Sequence, residues 1–115
     1  MKFLYNTNLN DVELDIQQPD YKFDEDVYLG EISEYIDSTY NAHYSKKKFQ
    51  ASEFIYDAGH GTGFNMGNVM KYAQRYGNKG SDEDARKDLM KVIHYAILQL
   101  HVHDTTIEQS DDHLE

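Results

Sequence analysis

The sequence predicts a mainly α-helical fold: a small helical domain with an antiparallel helix pair in its C-terminal half and a short N-terminal β-hairpin. Three observations carry that prediction. Two stretches, from about Asn65 to Tyr76 and from Ser81 to about His101, repeat apolar residues with helical period. The four-residue turn Gly77-Asn78-Lys79-Gly80 joins them, and a connection that short makes neighbouring helices antiparallel. Strand-like alternation is confined to residues 2–5 and 12–16. At 115 residues the chain has room for one domain with one small core.

The elements follow in chain order. An Asn-rich stretch separates the two N-terminal runs, and Pro19, the only proline, breaks the chain after them. A helix is predicted over Val27–Tyr40, with Leu29, Ile32, Tyr35 and Ile36 on one side and Glu31, Glu34 and Asp37 on the other. Asp24-Glu25-Asp26 puts acids where the positive end of a helix dipole favours them. A second helix is predicted from about Gln50 to Ala58, with Ser52 as a cap, Phe54 and Ile55 in the core and Gly59 as the stop. Gly59-His60-Gly61-Thr62-Gly63 then reads as a flexible loop emptying into a third helix near Asn65. Met66, Val69, Met70, Ala73 and Tyr76 share one side of that helix, and Asn68, Lys71 and Arg75 the other. Ser81 and Asp84 make a capping box that starts the last helix. Its apolar arc, about 160° wide at 100° per residue, holds Ala85, Leu89, Met90, Val92, Ile93, Ala96, Ile97 and Leu100. Asp84, Asp88, Lys91 and Tyr95 line up opposite. The chain after Asp104 lacks periodicity and reads as a fraying acidic tail.

Charge divides the chain more clearly than hydropathy does. The net charge of −10 splits into −8 over residues 1–42, +3 over 43–101 and −5 over 102–115. The division suggests an acidic region 1–42 that packs on or extends the domain, a helical core over 43–104, and an acidic tail over 105–115. An acidic frame around a basic centre implies that the centre attracts an anion, or that the ends fold back onto it. A segment of net +3 between acidic ends neutralises too few phosphates for strong nucleic-acid binding. The absence of cysteine excludes disulfides, thiolate metal sites and a cysteine nucleophile, and fits a reducing cytoplasm. No apolar run approaches the ~20 residues needed to span a membrane, and the first ten residues lack the basic start and apolar stretch of a signal peptide.

Three constellations could carry chemistry. Asn68, Lys71 and Arg75 follow the glycine-rich stretch; a helix N-terminus offers unpaired N–H groups to an anion, and Arg can grip phosphate with two hydrogen bonds. No Gly-Lys-Ser/Thr follows the glycines, so this is not a Walker loop. Asp84 and Asp88, one turn apart, could hold Mg²⁺ through waters, with Lys91 beside them to meet a phosphate. Glu31, Glu34 and Asp37 form the third. Each set also suits a solvated helix face with i, i+4 pairs. The His101-Val102-His103-Asp104 run sits at a helix end too frayed for a metal site, and no Ser-His-Asp arrangement emerges.

His43-Tyr44, Gln50-Ala51-Ser52-Glu53-Phe54-Ile55, the core Gly67-Asn68-x-x-Lys71-Tyr72-x-x-Arg75, then Gly77, Lys79, Asp88-Leu89, Lys91 and Tyr95 follow one pattern. Over residues 43–101 it resembles a tailed-bacteriophage domain family of unknown function that carries the label nucleotide-kinase-like. Ala51 stands where that family usually has Pro, Glu53 where it often has Asp, and residues 1–42 lie outside the pattern. The resemblance implies phage origin, a place in the host cytoplasm, and nucleotide handling without a P-loop. It implies nucleotide or phosphate binding by Gly67, Asn68, Lys71, Tyr72, Arg75, Lys79 and Tyr95. Asp88 and Lys91 would be catalytic, and Asp84 and Asp88 would bind Mg²⁺.

The expected function is accordingly that of a small early phage protein that binds nucleotides, with kinase-like activity. A different class of function is an effector without enzymatic activity, binding a host protein through the acidic surface of residues 1–42. A homo-oligomer is compatible with both: the chain has ten Tyr and no Trp, and Tyr suits subunit interfaces.

Overall fold

The computed structural model describes residues 18–42 and 45–112. Among them are four helices and no strand: α1 Glu25–Asn41, α2 Ser45–Asp57, α3 Gly61–Arg75 and α4 Asp82–Asp112. The hairpin predicted at residues 2–5 and 12–16 lies outside the described residues. The long α4 is the spine; α3 packs extensively along it, α1 touches both α4 and α2, and α2 also reaches α3. Among the described residues no helix is long and apolar enough to cross a membrane.

Helix α1 begins with Glu25 and Asp26 in its first turn, as the dipole favours. Asp24 makes no side-chain cap and takes a left-handed backbone, φ 57°; instead the Glu25 carboxylate accepts the N–H of Phe23 at 2.8 Å. Helix α2 starts at Ser45, well before the predicted Gln50. The residues between include Lys46-Lys47-Lys48, strong helix formers whose charge does not interrupt a helix. Ser52 is therefore an interior residue bonded back to the carbonyl of Lys48, and Phe54 is exposed instead of lying in the core.

The predicted glycine loop is shorter than its composition suggested. Only Gly59 has a left-handed backbone, φ 85°, and α3 begins at Gly61, with His60 accepting the first helical bond from Phe64. Gly61 is helical because it is an approach point: a Cβ there would stand 3.0 Å from the Tyr56 ring and 3.1 Å from Val102. Gly77 and Gly80, both left-handed, turn the chain into α4. The capping box forms as predicted: the Asp84 carboxylate accepts the N–H and hydroxyl of Ser81, and the Ser81 hydroxyl accepts the N–H of Asp84. Helix α4 then runs to Asp112, past its predicted end at His101.

Packing departs from the predicted faces of the α3–α4 pair. Asn65 is wholly buried; it accepts from the Tyr56 hydroxyl at 3.1 Å and donates to Gln99 at 3.3 Å, while Gln99 donates to Thr62 at 3.0 Å. Nearer the turn, Arg75 of α3 meets Asp88 of α4. Polar residues of the two helices thus meet across a close interface, while several large residues predicted to be core are exposed. Leu89, Ile93, Ile97 and Leu100 of α4 are exposed, as are Met66 and Met70 of α3. Among the described residues Ile32 of α1 is the one buried large hydrophobic side chain. Helix α1 is held by the Glu31–Arg86 ion pair and by Tyr35 set edge-on to His94, and Tyr40 stacks on Phe49 of α2 at 4.3 Å.

Candidate functional site

Tyr72, in the third turn of α3, is a hub for positive charge. The Lys71 ammonium lies 4.6 Å from the centre of its ring, the Lys91 ammonium 4.9 Å and the Arg75 guanidinium 5.9 Å. Arg75 is one turn along α3 and Lys91 comes from the facing side of α4, so the hairpin itself assembles the group. The Tyr95 ring runs nearly parallel to that of Tyr72, 14° apart with centres 6.0 Å apart, and Phe64 meets Tyr95 edge-on. An aromatic face attracts cations, but three cations near one ring repel one another. Asp88 is the carboxylate paired with them, 3.5 Å from the Arg75 Nε. The cluster therefore keeps a surplus of positive charge in a chain whose net charge is −10.

Beside this cluster a cavity of about 260 Å³ takes wall residues from all four helices. Tyr35, Ser38 and Thr39 come from α1, Lys48 from α2, Tyr72 from α3, and Lys91, His94 and Tyr95 from α4. Lysines on two elements, with aromatic surfaces between them, suit an anion that carries a ring. Burial, with Lys48 nearby, holds His94 below its ordinary pKa, so the imidazole is neutral at pH 7. Burial also pushes the Tyr95 hydroxyl above its usual value, with Tyr72 adding to the effect; Tyr95 remains a neutral hydrogen-bond donor. A larger cavity, about 670 Å³, lies between the Tyr40–Phe49 stack and Ile97 and Leu98, but no Lys or Arg lines it.

The predicted site residues separate into two groups. Lys71, Tyr72, Arg75, Asp88, Lys91 and Tyr95 come together, although on the sequence alone Asp88 read as part of a solvent-facing stripe. It is 1% exposed, and neither of its carboxylate oxygens has a hydrogen-bond partner, so it faces Arg75 rather than the cavity. Gly67, Asn68, Lys79 and Asp84 stand apart. Asn68 donates its amide to the carbonyl of Phe64 in its own helix, Gly67 is mid-helix with no close approach to its Cα, and Lys79 is exposed in the turn. Because α3 starts at Gly61, Lys71 lies roughly 15 Å along the axis from the helix N-terminus, and the two cannot share one phosphate.

The carboxylates proposed for Mg²⁺ are committed elsewhere. Asp84 caps α4 through Ser81, which holds its carboxyl below the ordinary range, and Asp88 is turned inward on Arg75. Among the described residues no group of three or more His, Asp or Glu side chains is placed to hold a metal ion. As placed, these residues do not fit a shared magnesium site. The sequence reading did not find Lys48, His94 or Tyr35; the Lys46-Lys47-Lys48 run was the one signal that could have pointed to Lys48.

No curated protein and no solved structure matches this chain. A family model does match residues 28–96, a span that begins inside α1, earlier than the pattern noted from His43, and includes Lys48 and every member of the Tyr72 cluster. That match covers more than half of the sequence, and the chain belongs to the family described as a protein of unknown function, DUF3310.

Proposed function

We propose that this domain binds a nucleotide, its phosphate held by Lys71, Lys91 and Lys48 and its base set against the Tyr72 and Tyr95 rings. The observation that carries the reading is the convergence of Lys71, Lys91 and Arg75 on Tyr72, at the edge of a cavity lined also by Tyr35, Ser38, Thr39, Lys48, His94 and Tyr95. Aromatic rings accept a base by stacking, at about 1–3 kcal/mol per base, and clustered cations favour a multiply charged phosphate. Arg75 is oriented by Asp88, which makes Asp88 a positioning residue for the anion site. The resemblance to nucleotide-kinase-like phage domains agrees with a nucleotide ligand, and a role in phage nucleotide metabolism follows from it. Binding is the part the geometry supports best: phosphoryl transfer needs a base that faces the acceptor, and the Asp88 carboxylate faces inward.

Calorimetric titration of deoxynucleosides and their mono- and triphosphates, with and without Mg²⁺, tests the reading. Affinity should rise with phosphate charge, fall with added salt, and be weakest for the nucleoside. No heat with any nucleotide under either condition would sink it.

A further inference from the structure

We propose that the larger cavity, between the Tyr40–Phe49 stack and α4, binds a small organic cation: a protonated amine carried on an aromatic or alkyl body. The inference is independent of nucleotide binding, since no residue lines both this cavity and the one beside Tyr72.

Helical spacing builds the walls. On α2, Phe49, then Ser52 and Glu53, then Tyr56 stand one turn apart and so share a face. Helix α4 supplies Ile97 and Leu98, with His101 one turn on from Ile97. Tyr40, in the last turn of α1, closes the cavity by stacking on Phe49, ring centres 4.3 Å apart and planes 17° apart. The volume of about 670 Å³ falls within the range of about 300–1,000 Å³ that small-molecule sites occupy, and the mixture of apolar walls with a few polar groups is theirs as well.

The polar atoms identify the ligand's chemistry, because their hydrogens are already committed. The Ser52 hydroxyl donates to the carbonyl of Lys48 at 3.2 Å, and the Tyr56 hydroxyl donates to the Asn65 side-chain oxygen at 3.1 Å. A hydroxyl has one hydrogen to give, so each offers a ligand lone pairs alone. The Glu53 carboxylate is likewise an acceptor, and among the described residues no Lys or Arg lines the cavity to balance it. Gln50 and His101 can serve either role. A ligand that fits must therefore bring the hydrogens and the positive charge. The rings of Tyr40, Phe49 and Tyr56 add aromatic faces, which attract cations, while Ile97 and Leu98 give the apolar body a surface. An anion would meet Glu53 with no cation beside it, and a neutral ligand would cover the carboxylate without pairing it. A chain of net charge −10 also draws cations toward itself.

Phenethylamine, phenethyl alcohol and hydrocinnamate share one ring and a short tether but are cationic, neutral and anionic at pH 7. Each is titrated into the full isotope-labelled chain and followed by amide nuclear magnetic resonance shifts. Phenethylamine should shift the amides of Phe49, Glu53, Ile97 and Leu98 saturably and bind more tightly than the other two. Glu53 is exposed, so Glu53→Gln should keep the fold, which its amide spectrum checks. The variant should bind phenethylamine about two- to fivefold more weakly, the scale of a solvent-reachable ion pair, and bind the alcohol as the wild type does. No saturable shift with phenethylamine, equal or tighter binding of the alcohol or of hydrocinnamate, or undiminished phenethylamine binding by Glu53→Gln would overturn the proposal.

Discussion

Asp88 is buried against an Arg75 side chain that is 42% exposed. The pair is accordingly asymmetric. Arg75→Met leaves a buried carboxylate without its cation and should cost about 3 kcal/mol, whereas Asp88→Asn leaves an arginine that can turn to water and should cost less than half as much. Urea denaturation of the two variants checks the order. His94 makes a second prediction at this scale. Its folded pKa is depressed below the ordinary 6.5 by burial and by Lys48. The unfolded imidazole thus takes up a proton first as pH falls. Stability should be full above about pH 6.5 and decline below it, and His94→Gln should flatten that part of a urea-midpoint profile taken between pH 8 and pH 5.

Among the elements, the ones with explicit end signals were legible. The Ser81/Asp84 box and the Gly77–Gly80 turn located the start of α4 and the hairpin bend, since each residue there meets a specific backbone demand. Boundaries without such a signal were displaced. α2 begins at Ser45 because three lysines extend a helix without marking its edge, and α3 begins at Gly61 because tertiary contact outweighs glycine's weak helix propensity. Two glycines of α3 should therefore respond oppositely to the same change. Gly61→Ala would push a methyl into Tyr56 and Val102 and should cost about 1–3 kcal/mol. Gly67→Ala meets nothing within 4 Å and should stabilise by about 0.5–1 kcal/mol. Thermal melts of both variants give the sign directly.

At the scale of the whole molecule, an acidic chain gathers three of its eleven Lys and Arg side chains around one aromatic ring and leaves apolar residues of its main hairpin exposed. The helical class and the two polar stripes were visible in the sequence; the Asn65–Gln99 hydrogen bond across the interface was not, because neither residue belongs to those stripes. Lys48 was likewise out of view, since only tertiary packing brings α2 to that cavity. In the proposed site Lys71 and Lys91 hold a nucleotide phosphate beside Tyr72. The direct measurement is calorimetric titration of a deoxynucleoside monophosphate into the wild type and into the Lys71→Gln/Lys91→Gln double variant, with far-ultraviolet circular dichroism to establish that both are folded. Binding should be saturable in the wild type and at least tenfold weaker in the folded variant, a loss of about 1.4 kcal/mol or more. Equal binding by both proteins, or no binding by the wild type, would contradict it.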